Sequence, residues 1–126
     1  MVLASVAMMT FHAAATEVAG LIQTSTTWNT AGSPYTVTGS VTVAEGATLT
    51  IQPGVTVQFG QYQGLWVAGR IEAVGTTASP IVFTGTTAAR NWWRGIQLTG
   101  AGGAQLEWCE VAHAGYWDGV GVLAAG

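Results

Sequence analysis

At 126 residues the chain has the length of one domain, enough to bury a modest core and too short for two domains. Charged residues make up 7% of it and hydrophobic residues 49%, with 18 Gly and a formal net charge of -3, a profile opposite to that of disordered segments. Lys is absent and Arg70, Arg90 and Arg94 are the whole basic inventory, so the positive surface that nucleic acid or an anionic membrane requires is missing.

The N-terminal stretch 1–15, MVLASVAMMTFHAAA, has an apolar run from Val2 to Phe11 followed by Ala13, Ala14 and Ala15, a small-residue cleavage pattern. It reads as a signal peptide, although no basic residue precedes the apolar run, and it places the protein outside the cell, secreted or at the cell surface. The bland alternative is a short helix capping the fold. No apolar run reaches the roughly 18 residues of a spanning helix, so no transmembrane span is expected. Residues 16–34 are expected to form an N-terminal cap region.

From Tyr35 onward the pattern is a short apolar alternation punctuated by Gly, Pro or Asn, with no sustained helical period. Val41/Val43, Leu49/Ile51 and Val55/Val57 face one side, with Thr42, Thr50 and Thr56 between them on the other. Glu45-Gly46 and Gln52-Pro53-Gly54 break these strands as turns. Further pairs are Leu65/Val67, Ile71/Ala73, Ile81/Phe83, Ile96/Leu98, Leu106 with Cys109 and Val111, and Val120/Val122.

Strands this short offer only two inward side chains each, too few for a hairpin sandwich with an efficient core. A coil in which each strand pairs with its equivalent about 4.8 Å above or below buries them, stacking similar side chains in ladders. The 18 Thr residues, many between the aliphatics, put hydroxyls rather than ions on the outside and keep so weakly charged a coil in solution. Gly supplies the dihedrals of the bends. Residues 35–126 are therefore expected to form about four incomplete rungs of such a solenoid.

The segment TTWNTAGSPYTVTGSVTVAEGATLTIQPGVTVQFG (Thr26 to Gly60), followed by LWVAGRIEAVG, SPIVFTG, WRGIQL and LEWCEVAHAG, resembles the repeats of right-handed parallel β-helix proteins of pectin-lyase-like architecture. The run V-x-V-x-x-G-x-T-L-T-I-x-P-G-V at Val41 to Val55 carries most of the likeness. The resemblance implies an all-β, right-handed single-stranded parallel β-helix in an extracellular setting. It implies no activity, because the architecture hosts lyases, hydrolases, adhesins and inert stalks. After Val120 the family pattern would begin another rung, so an open C-terminal end is expected. Either the coil continues in a longer parent chain or a second copy covers its end by self-association.

Lyases of that architecture need clustered acids around calcium and an Arg or Lys as base, and the hydrolases need paired carboxylates. Only Glu107, Glu110, His113 and Asp118 come close together here, with Glu107 and Glu110 pointing out on either side of a bend at Trp108. They are the candidate catalytic residues; the alternative is an ordinary solvated outer face. Cys109 reads as a small buried strand residue. Six Trp and three Tyr exceed what a narrow aliphatic interior holds. Tyr62, Trp66, Tyr116 and Trp117 are the candidate ligand-binding residues for stacking on sugar faces, against the alternative of turns packed over the coil, to which Trp92 and Trp93 are assigned. Ice binding by Thr pairs fails because the pairs do not recur in register. No cofactor or metal is expected. The reading favoured is a non-enzymatic secreted or cell-surface module with a structural, adhesive or glycan-contacting role, with a polysaccharide or other glycan as partner. The alternative is part of a polysaccharide lyase or glycoside hydrolase whose active site lies mostly beyond residue 126.

Overall fold

A computed structural model describes residues 16–115 and 122–124; the stretch 1–15 expected to be a signal peptide, Tyr116, Trp117 and Asp118 lie outside the described residues. In chain order the strands are β1 (Thr16–Ile22), β2 (Thr26–Trp28), β3 (Tyr35–Val43), β4 (Thr48–Ile51), β5 (Thr56–Phe59) and β6 (Gly64–Val67). They continue with β7 (Arg70–Val74), β8 (Ile81–Gly85), β9 (Gly95–Leu98), β10 (Ala104–Glu107), β11 (Cys109–Val111) and β12 (Val122–Ala124). One short 3-10 turn, Thr30–Gly32, is capped by the Asn29 side chain, which accepts from the Gly32 N–H. No helix among the described residues is long and apolar enough to cross a membrane.

Strand pairing among the described strands is parallel throughout, without a hairpin. Parallel neighbours require a long crossover, and here the crossover is the rest of a turn of the coil. One sheet runs in the order β11-β8-β5-β3-β6-β9-β12 with β1 on β3, and the other in the order β10-β7-β4-β2. The long β3 links two columns of the first sheet, because Tyr35 to Val37 lie against β5 and Val41 to Val43 against β6. The segment expected to be a cap contains β1 and β2, which are already in parallel register with β3 and β4.

The alternation in the sequence becomes the core directly. Val41, Leu65 and Ile96 stack in one ladder, and Leu49, Ile71 and Ala104 in another. Ile51, Ala73 and Leu106 form a third. The middle members are essentially inaccessible to solvent, whereas Ala104 and Leu106 are partly buried. Burying one such aliphatic side chain contributes about 1.5–3 kcal/mol before entropy is charged against it. Thr42, Thr50 and Thr56 alternate with the core residues on the outer side, and Gly46 and Gly54 take left-handed φ values of 87° and 85° at the two expected turns.

The aromatic rings depart from an aliphatic interior. Trp28 and Tyr35 are buried and stacked at 4.9 Å, and the Tyr35 hydroxyl donates to the Asn29 carbonyl. Register places Gly85 over Phe59, where a ladder side chain is missing. The space a Gly85 side chain would take is met by the Trp92 ring, while the buried Trp93 ring stacks on Phe59 with centroids 3.9 Å apart and planes nearly parallel at 4°. The interior therefore holds more rings than its width suggests, because they lie flat on one another as the pairs Trp28–Tyr35 and Phe59–Trp93. At the last described level the inward pattern weakens: Val111 registers over Phe83 yet is 37% exposed.

Candidate functional site

Trp66 lies on β6 between fully buried Leu65 and Val67, so the pleat turns its indole to the outer surface. There it is partly buried, with Thr42 beside it on one strand and Gln97 on the other. The ring is seated on Gly64: a Cβ at that glycine would stand 2.6 Å and 2.8 Å from indole carbons and 3.1 Å from the Cβ of Arg94. The seat is fixed in turn, since the Gly64 N–H donates to Ser40 Oγ at 3.1 Å and that hydroxyl also bonds the Gln63 side chain. Tyr62 precedes it at φ 67°, 45% exposed, its N–H donating to the Trp92 carbonyl. Trp92 belongs to the scaffold: its ring abuts Gly85 and its Nε1–H donates to Thr86 Oγ1 at 3.1 Å.

The acidic candidates are arranged differently. Trp108, at φ 52°, turns the chain between β10 and β11, so the exposed Glu107 and Glu110 stand on separate strands. Glu107 accepts from Gln105 Nε2 at 2.7 Å, whereas Glu110 registers beside Val82. His113, at φ 64°, pairs its Nδ1 with Thr84 Oγ1 at 3.0 Å and its carbonyl accepts from both Trp92 and Trp93. Among the described residues no three His, Cys, Asp or Glu side chains form a metal-binding group. Arg70 pairs with Glu72 at 2.9 Å and also donates to the Gly102 carbonyl, which ties two turns together. Trp108 is the residue that sequence reasoning left without a ligand role; its ring is 60% exposed. The signal was the three-residue interval between Leu106 and Cys109, which breaks the period of two and forces the intervening bend outward.

Cys109 is partly buried and its thiol donates to the Ala73 carbonyl at 3.2 Å. Burial pushes its pKa above the ordinary 9.0, a hydrogen bond to the Glu107 backbone opposes this, and the Glu107 charge adds to the rise. Above about pH 9 the unfolded thiol ionises before the folded one. The stability contributed by Cys109 is therefore complete below the unfolded value and is lost as pH rises through the folded value. Denaturant midpoints measured from pH 7 to 10 are expected to fall less steeply for Cys109→Ala than for the parent; parallel slopes would contradict this.

Comparison with known proteins adds the following. The family model described as "Pectate-lyase like beta helix domain" matches residues 20–116. The chain is 33% identical over 96 residues to "Protein bark beetle" of Drosophila melanogaster, across 70% of this chain and 3% of that protein. No solved structure matches it.

Proposed function

Because the chain belongs to the family of pectate-lyase-like β-helix domains, we propose that it is a non-catalytic module of a longer secreted or cell-surface protein, with a structural and glycan-contacting role. The observation that carries this reading is the division of labour in each strand. Inward residues are committed to ladders such as Val41–Leu65–Ile96, and outward rows such as Thr42–Trp66–Gln97 are left as a rigid contact surface. The architecture that accompanies it is a right-handed coil of about four turns. A short span of a much longer relative fits a repeat segment within a larger assembly.

Affinity electrophoresis through gels containing a panel of plant, animal and microbial polysaccharides tests the reading, with the same mixtures assayed for new reducing ends and unsaturated uronates. Retardation by at least one polysaccharide without product formation is expected. Steady accumulation of product would make the chain an enzyme, and mobility unchanged across the panel would remove glycan contact from the proposal.

A further inference from the structure

We propose that Trp66, seated on Gly64 and flanked by Thr42 and Gln97, is a stacking platform for a neutral pyranose chain, an inference that rests on the glycan-contacting reading above. Its ring is carried by a strand whose neighbouring residues are locked in the core, so its position is set by the scaffold and not by a mobile loop. A large ring with few rotatable bonds loses little entropy when a ligand covers it. The Gly64 seat removes still more freedom, because the indole already occupies the space that a Cβ would take.

The surroundings select the ligand. A pyranose ring presents an apolar face of C–H groups and a rim of hydroxyls, and therefore needs an apolar plate with hydrogen-bonding groups beside it. Thr42 and Gln97 supply a hydroxyl and an amide on the two adjacent strands, about 4.8 Å away on either side. The outer row Leu21, Thr42, Trp66 and Gln97 carries no charge. Of the nearby cations, Arg70 is tied to Glu72 and Gly102, and Arg94 is partly buried. Uronates, which need exposed positive charge, are poorly matched to this row, whereas neutral chains with equatorial hydroxyls are well matched.

The test is affinity electrophoresis and intrinsic fluorescence titration of the full chain with a soluble neutral β-1,4-glucan, a neutral xylan and polygalacturonate. The neutral polymers are expected to bind and polygalacturonate to bind at least tenfold more weakly. Trp66→Ala is expected to weaken neutral binding about tenfold or more. Gly64→Ala provides an independent probe: it keeps the tryptophan but displaces the ring, and Gly64 is not in the left-handed region. It is expected to reproduce most of the loss with the circular dichroism spectrum unchanged. Neutral binding that survives in both folded variants would overturn the platform while leaving glycan contact elsewhere on the coil. Preference for polygalacturonate would overturn the ligand class, and failure of the parent to bind any of the three polymers would overturn the inference, whereas the wider panel decides the broader reading.

Discussion

Trp93→Ala is expected to destabilise the fold by about 3–5 kcal/mol, the range for removing a fully buried large aromatic side chain. The cavity would be poorly relieved. Gly85 has no side chain to move into it, and Phe59 would lose the ring stacked 3.9 Å above it. The loss is more than apolar, because Trp93 Nε1–H donates to the Ala112 carbonyl at 2.7 Å and thereby holds the segment leading to His113 and Ala114 against the coil. Trp93→Phe separates the two contributions. It retains a ring over Phe59 but leaves that carbonyl without its indole partner, at a cost of about 1–3 kcal/mol. Urea unfolding monitored by far-UV circular dichroism should rank parent, Trp93→Phe and Trp93→Ala in that order. An alanine variant with a midpoint close to the parent would show that the 112–115 segment, not the ring, closes this level.

The second large effect is expected at Gly69, between β6 and β7. A Cβ there would overlap the carbonyl oxygens of Ala44 and Ala47, both in the turn between β3 and β4 that lies directly against it. Those backbones cannot retreat freely. Gly69 N–H donates to the Val43 carbonyl at 3.0 Å and Arg70 N–H to that of Ala47 at 3.0 Å, the bonds that join one turn to the next. Gly69→Ala therefore forces a choice between steric overlap and broken hydrogen bonds, with an expected loss of about 3 kcal/mol or more. Gly46→Ala is the informative comparison. Gly46 has a left-handed φ of 87° but open space around its Cα, so its alanine variant should lose only the backbone cost, about 1–2 kcal/mol. Thermal melts of the two variants check the mechanism: equal losses would mean that close approach between turns contributes nothing beyond dihedral strain.

Parts of the outer surface were legible before any coordinates. Trp66 had to point outward once Leu65 and Val67 were assigned inward, and the bend at Trp108 followed from the spacing of Leu106 and Cys109. The seating of Trp66 on Gly64 was not legible, because it depends on how the ring folds back after the strand is placed. Nor was the pairing of His113 with Thr84, which are 29 residues apart and meet only because the chain returns to the same column. The acidic candidates illustrate the same boundary. Proximity along the chain put Glu107, Glu110 and His113 in one group, whereas the left-handed turn at Trp108 and the tie to Thr84 give each its own neighbours.

What the amino-acid sequence determined unaided is the assignment of residues to the two sides of each strand. The pleat repeats every two residues whatever lies beyond it, so Val-Thr-Val or Leu-Thr-Ile has one inner and one outer side before any partner strand arrives. What the tertiary structure alone decided is which residues lie over one another, since register depends on the lengths and bends of turns far apart in sequence. That register set Gly85 above Phe59, and the return of the chain brought the Trp93 ring onto Phe59 and the Trp92 ring against Gly85. Burial of the Trp93 indole depends on the space left by other turns, whereas the outward side of Trp66 is set by the pleat of its own strand.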